Sequence, residues 1–297
     1  MRITHRAIAD NNLRGMNANL AAISKLNDQI SSGKAITKAS DNPSGAATAM
    51  RTRGELTATD QYAANISEAT TVLASADTAL GTMSEMLRKV RDLTSQAVSG
   101  GSQTASTMSA LAQQVSGIGE GLLAMANRTV NGQSVFGGAT SGTVAYDATG
   151  TFVGRSDVSQ QSRVSSTETV RTDTAGPTAF GDAAAGEETV FALVSRLSTA
   201  MSSTPTGDLS TAIADIDTAL TRLSSARSGV GVRMNRLETV KSVNAEQSLS
   251  LTSQLSDVED IDQAKAYLEL NVLQTGYQAA LAASAKSMSV SLVDFIS

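Results

Sequence analysis

Cysteine and tryptophan are absent from the 297 residues, and histidine occurs once, at His5. Without cysteine there is no disulfide framework and no thiol chemistry. One histidine and no thiolate cannot assemble a zinc site or a histidine-based triad. Aromatics make up only 3% of the chain. A compact core of this size would use more aromatic bulk, whereas long aliphatic seams need little. A net charge of −5 argues against a basic nucleic-acid face. No run of about eighteen apolar residues occurs, and Met1–Gly15 holds no apolar signal region. The expectation is a chain without membrane insertion or a cleaved secretory signal, staying in the cytoplasm or leaving by a route that reads no such signal.

What the chain does have is periodicity. From Leu209 to Val258, alternating steps of four and three pick out Ile213, Ile216, Leu220, Leu223, Val230, Met234, Leu237, Leu251 and Leu255. Polar residues interrupt this seam only at Arg227 and from Lys241 to Ser248. A period of about 3.5 residues over a rod of about 75 Å means a long coiled coil or bundle with equally long partners. One partner is a helix from Pro43 to about Ser99, whose seam runs Tyr62, Ile66, Ala69, Leu73, Ala76, Leu80, Met83, Leu87, Val90, Thr94, Ala97. Asn42 before Pro43 suits its N-cap. A third helix carries Met108, Leu111, Val115, Ile118, Leu122 and Met125. Its Gly117, Gly119 and Gly121 follow no strand, so they read as close helix packing rather than a phosphate loop.

Between Leu123 and Leu193 there is no Leu, Ile or Lys, yet five of the nine aromatics lie there: Phe136, Tyr146, Phe152, Phe180 and Phe191. This reads as a small β-rich insertion, self-contained and replaceable, at the tip of a helical rod. A short helix from Glu188 to about Ser203 leads back. The expected segments are 1–42, an N-terminal assembly helix and turn; 43–133, rod helices; 134–187, the insertion; 188–258, rod helices; and 259–297, a C-terminal assembly helix. The fold class is mainly α: a long antiparallel coiled-coil or helix-bundle rod from the N- and C-terminal segments, with the β-rich insertion in mid-chain.

The two ends show unpartnered apolar stripes. The first helix presents Leu13, Met16, Leu20, Ile23 and Ile30. The last carries one stripe through Tyr267, Leu270, Tyr277, Leu281 and Met288, and another through Ile261, Leu268, Val272, Ala279 and Ala282. Two stripes cannot both face one intramolecular partner, so one is left for other molecules. With Leu292 and Phe295, the first-helix residues and the Tyr267 stripe form the candidate assembly interface. Up to Arg53 the chain is basic and from Leu255 it is acidic; pairing of the ends and two separate solvated faces are equally open readings. Asp257, Glu259, Asp260 and Asp262 lack the central glycine of a calcium loop and read as helix-start caps. No catalytic, cofactor or metal constellation emerges.

Ser40-Asp-Asn-Pro-Ser-Gly45 resembles a turn of the flagellin family, and Arg227 through Asn235-Arg-Leu-Glu238 resembles that family's C-terminal rod motif. Asp41, Asn42, Pro43, Gly45, Arg227, Asn235 and Arg236 are the structural motif residues the resemblance implies. Arg227-Ser-Gly-Val-Gly departs from the usual pattern by one glycine. The opening Met1-Arg-Ile-Thr4, Asn131-Gly-Gln-Ser-Val-Phe-Gly-Gly138, the short insertion and Ser291-Leu-Val-Asp-Phe-Ile296 resemble the branch that joins hook to filament. Leu87-Arg-Lys-Val-Arg-Asp-Leu93 resembles a segment that innate immune receptors recognise in some flagellins, although it also lies on the packing stripe.

The resemblance implies a structural subunit and not an enzyme, exported through the flagellar type III apparatus. Its partners would be neighbouring copies in a ring, another hook-associated protein, flagellin, and an export chaperone at the C-terminal helix. It implies no cofactor, nucleic acid or membrane insertion. A filament flagellin is the alternative within the family; a helical adaptor or sensory coiled coil is the alternative outside it.

Overall fold

The computed structural model describes residues 2–99, 104–138, 144–203 and 208–296; for 2–6, 8–9, 208, 210 and 286–296 it describes the backbone only. Seven helices are seen among the described residues: α1 (Arg2–Ser32), α2 (Pro43–Ser99), α3 (Ala105–Ala126), α4 (Gly176–Phe180), α5 (Val190–Ser203), α6 (Asp208–Glu259) and α7 (Gln263–Ile296). Four short strands form two antiparallel hairpins, β1 (Thr129–Val130) with β2 (Gln133–Ser134), and β3 (Gln161–Arg163) with β4 (Thr169–Arg171). The mainly α class holds. Contacts divide the chain into two compact units, Met1–Ala58 with Gln247–Ser297, and Thr59–Glu246.

In the second unit the heptad seams become the core. Ile66, Leu73, Leu80, Met83, Leu87 and Val90 of α2 are buried, as are Ile216, Leu223, Val230 and Leu237 of α6. Their lateral bonds fix the direction of pairing. The Asn244 carboxamide donates to the Thr59 carbonyl (3.0 Å), Arg227 pairs with Asp77 (2.7 Å), and Arg91 pairs with Asp217 (2.7 Å). As the α2 number rises the α6 number falls, so the helices are antiparallel. The polar breaks in the seam therefore have distinct roles. Arg227 reaches sideways to α2, while Asn244 stays buried and satisfied, a device that fixes register in coiled coils. Despite Gly229 and Gly231, α6 is one continuous helix.

Helix α3 starts at Thr104, whose side chain accepts from the Thr107 amide, and it packs on α5. A Cβ at Gly119 would lie 3.1 Å from Val194 Cγ1, and one at Gly121 would lie 3.2 Å from Met86 Cε. Two of the three glycines thus serve close packing; Gly117 faces open space.

The mid-chain segment differs from the expected self-contained tip. Asn131 and Gly132, both at positive φ, make the two-residue turn between β1 and β2. Phe136, Tyr146, Phe152, Phe180 and Phe191 form one aromatic cluster with ring centroids 4.8–5.8 Å apart. That cluster belongs to the same hydrophobic core as α2, α3, α5 and α6. The β3–β4 hairpin is fastened to α2 by Asn65, which donates to the Arg163 carbonyl (2.8 Å). On α6, Arg233 donates to the Asp173 carbonyl (2.6 Å) and Thr174 Oγ1 (3.2 Å), and Arg236 pairs with Glu168 (2.5 Å). Burial pulls the Arg233 guanidinium below its usual range, and neighbouring Arg171 adds to this. The insertion is an integral wall of this unit because its aromatics have nowhere else to be buried.

Candidate assembly interface

The first unit is built on α1 packed against α7. On α1 the positions turned inward are Met16, Ile23, Leu26 and Ile30, in steps of seven, three and four. On α7 they are Ala266, Leu270, Leu273, Tyr277 and Ala280, in alternating steps of four and three. Leu26 and Ala266 are buried and the others half-buried, as in an antiparallel or parallel two-helix seam with open flanks.

Those inward positions divide the candidate residues. Met16, Ile23, Ile30, Leu270 and Tyr277 lie in the intramolecular seam, half-buried. Leu13, Leu20, Tyr267 and Leu281 stand outside it, 58%, 46%, 53% and 45% exposed. So do Leu268 and Val272 of the second stripe, at 68% and 62%. About 100° of rotation per residue puts Leu268, Val272 and Ala279 on the face of α7 opposite its seam. Met50 of α2 and Leu249 of α6, which sequence reading passed over, are also exposed in this unit. Met288, Leu292 and Phe295 have side chains outside the described residues.

The turn 33–42 and the turn 259–262 are stapled together. Gly33, at φ 71°, ends α1 in the left-handed conformation open to glycine. The Ala35 amide then donates to the Glu259 carbonyl (2.6 Å), and the Ile261 amide to the Gly33 carbonyl (3.1 Å). The Glu259 carboxylate, 7% exposed, accepts from both Lys34 (3.0 Å) and Arg53 (2.6 Å). Burial pushes its pKa up, but the two cationic hydrogen bonds outweigh this and hold it below the usual range.

Glu259 thus closes a buried latch, not a cap. Asp262 provides the cap instead, accepting from the Lys265 amide at the start of α7 (3.1 Å). The basic N-terminal and acidic C-terminal segments do meet, at Glu259. The residue was hidden in an acidic run; its adjacency to the apolar positions Leu255 and Val258 was the available signal.

Asp41 organises the other half of the turn. Its carboxylate pairs with Lys25 (3.0 Å) and accepts from the Lys38 amide (3.0 Å) and the Thr37 hydroxyl (3.0 Å). The hydrogen bond from Lys25, followed by those from Lys38 and Thr37, lowers its pKa to about 2. Asn42 Oδ1 accepts from the Gly45 amide (3.0 Å), capping α2 with Pro43 at the first helical position. A Cβ at Gly45 would lie 2.7 Å from both Asn42 Nδ2 and Ile36 Cδ1, so only glycine fits.

Residues 3–141 match the bacterial flagellin N-terminal helical region, and residues 213–296 match the bacterial flagellin C-terminal helical region. The chain belongs to the flagellin family. It is 28% identical over 292 residues to the flagellin of Bacillus subtilis, covering 95% of each chain. It is 25% identical over 314 residues to flagellar hook-associated protein 3 of Escherichia coli, covering 98% of each. A solved hook-associated protein 3 from Legionella pneumophila shares the fold, with a TM-score of 0.62 at 14% identity over 70% of this chain and 98% of that one.

In this flagellin-family chain, Asp41, Asn42, Pro43 and Gly45 build one capped turn, as described above. Arg227 and Arg236 tie α6 to Asp77 and Glu168, and Asn235 is exposed, its carbonyl accepting from Thr239 (3.0 Å). Within the immune-receptor-like segment, Leu87 and Val90 are buried and Arg91 is engaged by Asp217. Among the described residues no group of His, Cys, Asp and Glu could hold a metal, and no helix is long and apolar enough to cross a membrane.

Proposed function

We propose that this chain is a structural subunit of the bacterial flagellum that joins hook to filament and assembles through its terminal helices. One observation carries the assembly reading: α1 and α7 pair with each other yet keep large apolar side chains in water on their outer faces. Leu268, Val272 and Leu281 on α7, with Leu13 and Leu20 on α1, are the contact positions this supports. Leu270, Tyr277, Met16, Ile23 and Ile30 act indirectly, by holding the pair that presents them. Near end-to-end similarity to hook-associated protein 3 supports placement at the hook end.

The partners of this reading are neighbouring copies in a ring, another hook-associated protein and flagellin, with an export chaperone taking the C-terminal helix beforehand. Export through the flagellar type III apparatus would place it outside the cell. The role is structural, with no catalytic step and no cofactor. A filament flagellin is the second reading, favoured by the similarity to the Bacillus subtilis protein. Electron microscopy of immunolabelled flagella separates the two. A band at the hook end supports the junction role, label along the filament supports flagellin, and unlabelled flagella would sink both.

A further inference from the structure

A cavity of about 310 Å³ lies in the second unit, between α2, the β1–β2 hairpin and the segment entering β3. Its size is at the lower end of small-molecule sites. Ala69, Val72 and Val130 give it an aliphatic side. The rest of the lining is carboxamide, hydroxyl and carboxylate, with neither lysine nor arginine.

Several of these polar groups lack partners. Ser134 is 5% exposed, lines the cavity, and its buried hydroxyl has no hydrogen bond. Native folds rarely leave such a group unsatisfied without a reason. The Glu68 carboxylate and the Asn131 amide have no bond or ion pair among the described residues. Gln160 donates to the Gln133 side-chain oxygen across the cavity wall (2.9 Å), which leaves the Gln133 amino group and the Gln160 carbonyl to spare.

Donors and acceptors thus converge beside an aliphatic wall, around space that no side chain fills. The missing cation excludes phosphate, sulfate and uronate ligands, whose charge would need one. A neutral ring with a C–H face and a hydroxyl rim matches both kinds of lining. We propose that this cavity is a saccharide subsite for a neutral pyranose, with Ser134, Glu68 and the paired glutamines bonding its hydroxyls. No aromatic ring lines it, so binding by one copy is weak. Repetition around an assembled ring, which rests on the function proposed above, would add avidity.

The test uses the full-length chain before assembly, so it stands apart from the junction reading. Saturation-transfer NMR is run with D-galactose, N-acetyl-D-glucosamine and methyl α-D-mannopyranoside, with spermidine as a cationic control. Saturable binding of at least one pyranose in the millimolar range is expected. Ser134→Ala and Glu68→Gln should each weaken it about ten-fold, the loss of one good hydrogen bond. Melting should hold in both variants, because Ser134→Ala deletes a hydroxyl that bonds nothing and Glu68 is exposed. The proposal is overturned by absence of saturable pyranose binding, by binding that both variants leave unchanged, or by spermidine taking the site in place of the sugars.

Discussion

Arg53 and Glu259, 206 residues apart in sequence, meet at 2.6 Å in the latch that joins the two turns of the first unit. Lys34 shares the same carboxylate oxygen. The cations are half-exposed while the carboxylate is buried, so the pair is asymmetric. Losing the carboxylate lets both cations return to water, whereas losing one cation leaves the other still bonded.

Glu259→Gln should therefore cost about 1–2 kcal/mol, below the range for a fully buried pair because Lys34 and Arg53 are screened by solvent. Lys34→Met alone should cost less. Hydrogen exchange resolved by peptide is the measurement. Faster exchange confined to residues 28–41 and 256–266 is expected, and unchanged protection there would mean the backbone bonds suffice.

Acid should act on the same region through Asp41. Its folded pKa is depressed from 3.8 to about 2, so its stabilising contribution is fully present above the unfolded value and is lost as pH falls through the folded one. Glu259 is shifted in the same direction. Protection of the 33–42 turn should drop between about pH 4 and pH 2. In Asp41→Asn the turn should already be weaker at neutral pH and respond less to acid over that window. An equally steep response in the variant would assign the titration elsewhere.

Assembly and stability should separate along α7. Burying Leu268 or Leu281 at an interface contributes about 1.5–3 kcal/mol each, and a buried unpaired aspartate costs more than that gain. Leu268→Asp and Leu281→Asp should melt like the parent and abolish assembly, scored by motility and shed filaments. Leu26→Asp should loosen the α1–α7 pair itself, and Leu223→Asp should unfold the second unit. Normal swimming of both α7 variants would refute the terminal-helix contact.

Replacing residues 139–178 with a Gly-Ser linker should destabilise the second unit, because it strips Tyr146 and Phe152 from Phe180 and Phe191. Phe180→Ala alone should cost about 3–5 kcal/mol. Urea unfolding followed by circular dichroism reads both. A linker variant with undiminished stability would restore the view of a detachable tip.

The long seams were legible because one residue type at one period decides a helix face: each predicted α2 position from Ile66 to Ala97 is buried. The division of α7 was not. Its inward face uses Ala266 and Ala280, small enough for close approach, while the larger Leu268 and Tyr267 stay in water. Side-chain size therefore pointed the wrong way. The aromatics announced a folded insertion, but its fastening runs through Asn65 and Arg233, which in sequence look like ordinary solvated residues. Glu259 was missed for the same reason: a latch needs a partner far along the chain, and no local pattern encodes one.

The bond from Asn244 to Thr59 closes a loop of 185 residues. Contacts of such separation form late, after the entropy of closing the loop has been met. A chain threaded out N-terminus first would deliver the α2 seam long before α6 arrives to cover it. Until then those aliphatic residues have no long partner helix, and an isolated amphipathic helix is marginal in water. Folding of the second unit would then be timed by the arrival of α6, and the wait itself keeps the leading half loose enough to pass through a narrow opening.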